Sequence, residues 1–396
     1  MDFSISQSAE ALRQVARAFV DQELIPHEHS LRQFGFVAMH DQLTEQRGLA
    51  RGLGLFAPHM PESLGGLGLT LLEQALLSEV LGETLAGHYV CNFQAPDVGN
   101  MELLHGYGSA AQKAQWLKPL AAGDIRSTFL MTEPDRAGSN PVWMDSTAIL
   151  RDGHWVIHGH KWFATAADGA DFAIVMAVTE PEAPRAHERA SMILVPTDTP
   201  GFDRVRNISI MGHEGQGWMS HSEVLLDGVT VPEDYLIGVR GQGFRLAQAR
   251  LGPGRIHHAS RWLGVCNRAL KLMCDRARQR ELAPDKALAT KQQVQMWIAE
   301  SRAEIEAARL MVLQTAWKID RGAGYREDVS LIKFFVAGVM QKVLDRAIQV
   351  FGALGMSDDT PLALWYAHER AARIYDGPDE VHKVVVARRM MRKEDQ

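Results

Sequence analysis

The chain has 396 residues, 46% of them hydrophobic, with 42 Lys and Arg against 48 Asp and Glu and a formal net charge of −6. This is ample for a packed core and too long for one compact domain, so two or three domains are expected. No apolar run reaches the ~18 residues of a membrane-spanning helix, and Cys91, Cys266 and Cys274 form neither a CxxC pair nor a disulfide framework. The ends carry no recognisable secretory or organelle signal, so the expected location is the reducing cytoplasm.

Residues 1–125 read mostly as helices. Leu12, Val15 and Phe19 mark a helical stripe over 8–25, with Ser8 as N-cap and Pro26 as stop. A second helix is expected over 71–85, after the turn-rich Pro61-Glu-Ser-Leu-Gly-Gly-Leu-Gly68. Ser109 caps the start of another. From about 126 to 238 the pattern changes to short apolar runs between Gly, Pro and Asp, at 154–162, 172–178, 191–195 and 223–226. These predict strands of a small barrel or sandwich. From 239 to the end, helical periodicity predicts long segments at 255–280, 286–321, 328–352 and 379–392, with a shorter one near 362–374. The chain is therefore expected to be an α+β multidomain protein: an N-terminal helical domain, a middle β domain and a C-terminal four-helix bundle.

Charge is distributed unevenly. Residues 239–396 carry 27 Lys and Arg against 18 Asp and Glu. Such a surplus suits the phosphates of an anionic cofactor or of nucleic acid, and also simple solvated helix faces. The basic residues are interleaved with acids, which argues against nucleic acid. His154, His158 and His160 share one strand face, and His257 and His258 are adjacent, but without acidic or cysteine partners at ligand spacing no metal site is expected. No GxGxxG fingerprint is present, so a dinucleotide would have to be held outside a Rossmann fold.

Two strings carry chemistry. Met131-Thr-Glu-Pro-Asp-Arg-Ala-Gly-Ser-Asn140 is a polar, glycine-containing turn among strands. Arg373-Ile-Tyr-Asp-Gly-Pro-Asp-Glu-Val-His382 places one acid, Asp376, directly before a helix-stopping Gly-Pro. A third string, Lys161-Trp-Phe-Ala-Thr165, puts two aromatics on a predicted strand.

In this order the strings resemble those of the acyl-CoA dehydrogenase family, and the resemblance covers essentially the whole chain. It implies bound flavin adenine dinucleotide (FAD). Phe129, Met131 and Thr132 would lie along the isoalloxazine, Gly138 and Ser139 near the pyrophosphate, Phe163 on the ring and Thr165 near N5. Asp376 would be the base, where most relatives carry Glu. Other relatives place the base just before an arginine on the first bundle helix. Here that position is Gly254, followed by Arg255 as an active-site cation. Ser139, Arg255 and Gly377 would touch substrate, and Glu380 the cofactor.

Gln349-Val-Phe-Gly-Ala-Leu-Gly355 resembles the loop that meets a neighbouring subunit's FAD, which implies a homodimer or homotetramer with Gln349 and Gly352 in that contact. Arg280 and Gln292 would join it, although the usual Arg-x-x-Phe-Gly has become Arg280-Glu-Leu-Ala-Pro-Asp285. Asp-Gly-Pro-Asp-Glu-Val-His, Leu251-Gly-Pro-Gly-Arg-Ile-His-His258 and Asn100-Met-Glu-Leu-Leu-His105 look most like family members ten and eleven. The implied activity is α,β-dehydrogenation of an acyl-CoA, with electrons passed to an electron-transfer flavoprotein. A nitroalkane-oxidase-like or oxygen-using flavoenzyme on the same fold is the alternative. A DNA-binding flavoprotein is a remote one.

Overall fold

The computed structural model describes residues 5–391. The N-terminal part holds helices α1 (Gln7–Phe19), α2 (Glu28–Ala38), α3 (His40–Gly52), α4 (Leu71–Leu81), α5 (Gly87–Val90), α6 (Asp97–Tyr107), α7 (Ala110–Gln112) and α8 (Lys118–Ala122). Ser6, not Ser8, caps α1: its side chain accepts from the Ala9 N–H. Ser109 caps α7 as expected, in a reciprocal box with Gln112. Both α2 and α3 lie in a stretch whose many polar residues hid them from an apolar-stripe reading.

The middle strands are β1 (Ser127–Leu130), β2 (Thr147–Arg151), β3 (His154–Thr165), β4 (Phe172–Val178), β5 (Ala190–Pro196), β6 (Phe202–Asn207) and β7 (His221–Pro232). They form one seven-stranded sheet, ordered β1-β4-β2-β3-β7-β6 with β5 on β4. The sheet curls, because β1 also meets the far end of β3: the Thr128 hydroxyl donates to the Thr165 carbonyl at 2.8 Å. This is one curled sheet and not two stacked ones. Along β4 the side chains alternate. Phe172, Ile174 and Met176 pack into the core of the N-terminal helices, and Ala173, Val175 and Ala177 into the sheet's own core. Burial on both faces explains why β4 reads as an uninterrupted apolar run.

The C-terminal part begins with α9 (Gly243–Gln279), far longer than the expected 255–280. Pro253 lies inside it, so one backbone N–H is missing there but the helix continues. A short hairpin, β8 (Glu281–Ala283) with β9 (Lys286–Ala287), leads to α10 (Gln292–Asp320), α11 (Arg326–Phe351), α12 (Leu362–Glu369) and α13 (Asp379–Met390). Ile256, Leu263, Ile305, Val312, Val336 and Leu344 are among the side chains of the bundle core. The N-terminal α4 joins this core through Leu71 and Ala75. Its approach to α9 needs glycine: a Cβ on Gly264 would lie 2.3 Å from the Glu79 carbonyl oxygen. No helix among the described residues is long and apolar enough to cross a membrane.

Candidate active site

The first string folds as a tight loop at the end of β1, held from within its own sheet. Buried Glu133 accepts from the Asp145 and Ser146 N–H groups at 2.6 and 2.9 Å and from the Lys161 ammonium at 2.9 Å. Lys161 is fully buried and also donates to the Met131 carbonyl at 3.0 Å. Burial pulls the Lys161 pKa down, and Glu133 offsets part of that. Burial pushes the Glu133 carboxyl up, but the Lys161 charge and its hydrogen bonds outweigh this and leave it below its ordinary value. Thr132 is tied to β3 twice: its hydroxyl donates to the Trp162 carbonyl at 2.8 Å, and its own carbonyl accepts the Trp162 N–H at 3.1 Å.

Gly138 and Ser139 lie on the outer part of this loop, with Ser139 exposed. A Cβ on Gly138 would come within 3.2 Å of the Thr132 methyl, so the loop folds back closely on the strand end. The β3–β7 register shifts between Lys161 and Ala164, and in that irregularity Phe163 takes a left-handed backbone with φ 49°. Its ring stays 44% exposed, edge-on to Trp162 with centroids 4.9 Å apart. A strained backbone that holds an aromatic outward suits a planar ligand better than a core position. The Thr165 hydroxyl lies 3.0 Å from His221 Nδ1, and His221 in turn lies 5.9 Å from the His368 ring of α12. An exposed aromatic, a close-folded glycine loop and a rigid strand end fit a flavin.

The second string is held by other helices. Asp376 and Gly377 are both left-handed, with φ 53° and 98°. The Asp376 carbonyl accepts from Arg255 Nε of α9 and from His382 Nε2 of α13, each at 3.1 Å. The Gly377 carbonyl accepts from the buried Lys333 ammonium of α11 at 2.9 Å, and Lys333 also donates to the Ala372 carbonyl at 2.5 Å. Just before the acid, the Tyr375 hydroxyl accepts from the Trp262 indole at 3.2 Å. A Cβ at Gly377 would lie 2.7 Å from His382 Nε2, so a side chain there requires His382 or the turn to shift.

The Asp376 carboxylate is half-buried, with Oδ2 3.4 Å from His258 Nε2. Burial pushes Lys333 down to about 8, His382 to about 4 and His258 to about 3, so both imidazoles are neutral near pH 7. Arg255 lies in the interior of α9, two residues past Pro253, and not at a helix start. Arg250, one and a half turns earlier, stacks over the Phe129 ring at 4.3 Å and donates to Asn100. Burial lowers the pKa of Arg250, and Asp376 partly restores it. Arg250 thus links the end of β1 to the acid.

Arg280, Gln292, Gln349, Gly352 and Glu380 are all exposed. Arg276, one turn before Arg280, lies under Phe351 beside Gly352, so the ends of α9 and α11 share one end of the bundle. Arg280 follows Arg255 by 25 positions on one helix, roughly 37 Å of axis at ~1.5 Å per residue. It cannot reach the Asp376 site of its own chain.

Lys161 and Glu133 stood inside the strings but had no evident role there, and His382 closed the second string. Lys333 gave no signal, because a lysine in an amphipathic helix reads as surface. Much positive charge of the C-terminal part is paired, as in Arg309–Glu79 at 2.6 Å and Arg346–Glu304 at 2.7 Å. Cys266 is buried and Cys274 half-buried.

Family models for the acyl-CoA dehydrogenase N-terminal, middle and C-terminal domains match residues 6–124, 128–229 and 241–391. The chain belongs to the acyl-CoA dehydrogenase family. Members of this family are FAD-dependent flavoproteins. A probable acyl-CoA dehydrogenase, FadE2, of Mycobacterium tuberculosis is 48% identical over 333 residues, covering 83% of this chain and 81% of the relative. Acyl-CoA dehydrogenase family member 11 of Pongo abelii is 41% identical over 367 residues, covering 92% of this chain but 46% of the relative. The chain therefore spans about half the length of the family-member-11 proteins it matches. Among solved structures, a putative acyl-CoA dehydrogenase from Mycobacterium abscessus superposes with TM-score 0.92 at 40% identity, covering 98% of this chain and 99% of that one. The glutaryl-CoA dehydrogenase complex with glutaryl-CoA gives 0.88 at 26%, covering 100% and 98%.

Proposed function

We propose that the chain binds FAD and dehydrogenates an acyl-CoA across its α and β carbons, with Asp376 as the base. The observation that carries this reading is the left-handed Asp376. Donors from α9 and α13 meet on its carbonyl, and its charge acts on Arg250, which stacks over Phe129. Bound FAD supplies a hydride acceptor for Cβ. Phe129, Met131, Thr132, Phe163 and Thr165 are proposed to seat its ring system, and Gly138 and Ser139 its pyrophosphate. Asp376 takes the proton from Cα, and its own N–H is offered to the thioester oxygen as enolate charge develops. Arg255, Ser139 and Gly377 would touch the substrate. The short aspartate reaches less far than a glutamate, so the positions of its backbone and carboxylate must do more of the alignment.

The exposed Arg280, Gln292, Gln349 and Gly352 are proposed to serve the FAD site of a partner copy, which makes the working form a homodimer or homotetramer, and Glu380, four residues beyond Asp376, is proposed to contact the cofactor. An electron-transfer flavoprotein is the proposed acceptor. Asp376→Asn should keep bound flavin and slow its anaerobic bleaching by acyl-CoA by about 10² to 10⁴-fold, the usual worth of a positioned base. Bleaching at the wild-type rate would remove the assignment. A yellow wild-type protein that no acyl-CoA bleaches would favour the nitroalkane-type reaction.

A further inference from the structure

We propose that His258 is a positioning residue for the base, holding one oxygen of the Asp376 carboxylate so that the other faces the substrate α-proton. The proposal rests on the reading of Asp376 as the base. His258 lies three residues beyond Arg255 on α9 and so shares its face. Its Nε2 is 3.4 Å from Asp376 Oδ2. The ring is fixed by aromatic neighbours: near-parallel to Trp262 with centroids 6.0 Å apart, tilted against Tyr375 at 5.1 Å, and edge-on to His257 at 6.0 Å. These contacts stop the imidazole from turning away.

The other nitrogen defines the tautomer. His258 Nδ1 is buried and has no hydrogen-bond partner among the described residues. A buried N–H without an acceptor costs more than a bare lone pair, and a carboxylate oxygen lies beside Nε2. The proposal therefore places the proton on Nε2, the nitrogen 3.4 Å from Asp376 Oδ2. Burial among Arg261, Lys333 and Arg250 keeps the ring neutral, so it acts as an oriented dipole and not as a counter-ion. Asp376 is then held from both ends, its carbonyl by Arg255 and His382 and its carboxylate by His258.

Other groups act on Asp376 through charge or through its backbone. Arg250 and Arg255 face it from α9, Lys333 from α11 and His382 from α13, with Tyr375 beside it and Glu102 behind Arg250. The arginines stay charged throughout, and Lys333 would shape a limb near pH 8. A donor on Oδ2 favours the charged carboxylate, so removing it moves the acidic limb of flavin reduction to higher pH.

The test is the pH profile of single-turnover flavin reduction in the FAD-loaded protein, with butyryl-CoA and palmitoyl-CoA as probes. His258→Phe keeps a ring against Trp262 and Tyr375 but donates nothing. Its acidic limb should move up by about one pH unit, with the half-saturating acyl-CoA concentration unchanged. His258→Gln supplies an amide donor that does not titrate and should return the limb toward its wild-type position. A limb that stays in place in His258→Phe, or moves equally in both variants, overturns the proposal. Asp376→Asn run alongside separates the two readings: wild-type reduction there removes the base itself, whereas loss there with an unmoved limb in His258→Phe removes only His258. A wild type that neither probe reduces overturns both.

Discussion

The two loops of the candidate site are built in opposite ways. The 131–140 loop is held by its own sheet: Glu133 takes Asp145, Ser146 and Lys161, all within 28 positions of it. The Asp376–Gly377 turn is held by three different helices, with Arg255 121 positions away, Lys333 44 from Gly377 and His382 close by. On the proposed reading, the cofactor cradle is local and rigid, whereas the base is placed by the packing of the whole bundle. The two sides should therefore fail under different perturbations.

Acid should separate them most strongly. His59 and His258 are pushed down to about 3 by burial, His221 and His382 to about 4, and His88 and His257 also well below their ordinary value. With the folded pKa below the unfolded one, the unfolded chain binds protons first as pH falls. Stability is then fully present above about 6.5 and lost as pH drops through 4 toward 3. Each such imidazole removes about 1.4 kcal/mol per pH unit in that window. Several act together, and none lies in the 131–140 loop. A Tm series from pH 7 to 4 should fall steeply below 6, and substrate reduction should be lost before flavin colour. A Tm unchanged between pH 7 and 5 would show that these rings have found partners in solution.

Most of the fold was legible because strand length, helical period and turn residues agree with the architecture, as at Phe172–Val178, where the predicted and observed bounds coincide. The misreadings have physical causes. Pro253 made α9 look as if it began after residue 253, although the helix is already packed before it, with Gly243 against Ala190 and Ser191 and Arg250 on Asn100 of α6, and it runs on through the missing hydrogen bond. The polar α2 and α3 have too little apolar stripe to show. At the candidate site, Asp376, Gly377 and the Thr-Glu-Pro loop could be singled out because they lie in contiguous strings. Lys333, Arg250 and His258 come to Asp376 only after distant helices meet, and a linear pattern does not encode that meeting.

Breaking the local anchor tests the other half of the comparison. Lys161→Met fills the same buried space and removes the charge opposite Glu133. Removing one partner of a buried pair costs about 3–5 kcal/mol. The expected result is a lower Tm and loss of flavin on gel filtration, with the 376–377 turn unaffected once excess FAD restores occupancy. Flavin retained as tightly as in wild type would mean that the loop is held by its Thr132–Trp162 bonds and not by the ion pair.

The smallest of these effects should come from Gly377→Ala, and it is the most selective. The new methyl meets His382 Nε2 at 2.7 Å on a backbone with φ 98°, so His382 must yield or the turn must. Strain of this kind costs about 1–3 kcal/mol in stability. If His382 yields, the Asp376 carbonyl loses one of its two donors and the carboxylate shifts relative to the substrate. A displacement near ~1 Å slows reduction by about 10²-fold. Flavin content should not change, since no anchor of the 131–140 loop passes through this turn. Full flavin with slow bleaching would confirm that the base is placed independently of the cofactor cradle, whereas joint loss of both would show the two loops to be one cooperative unit.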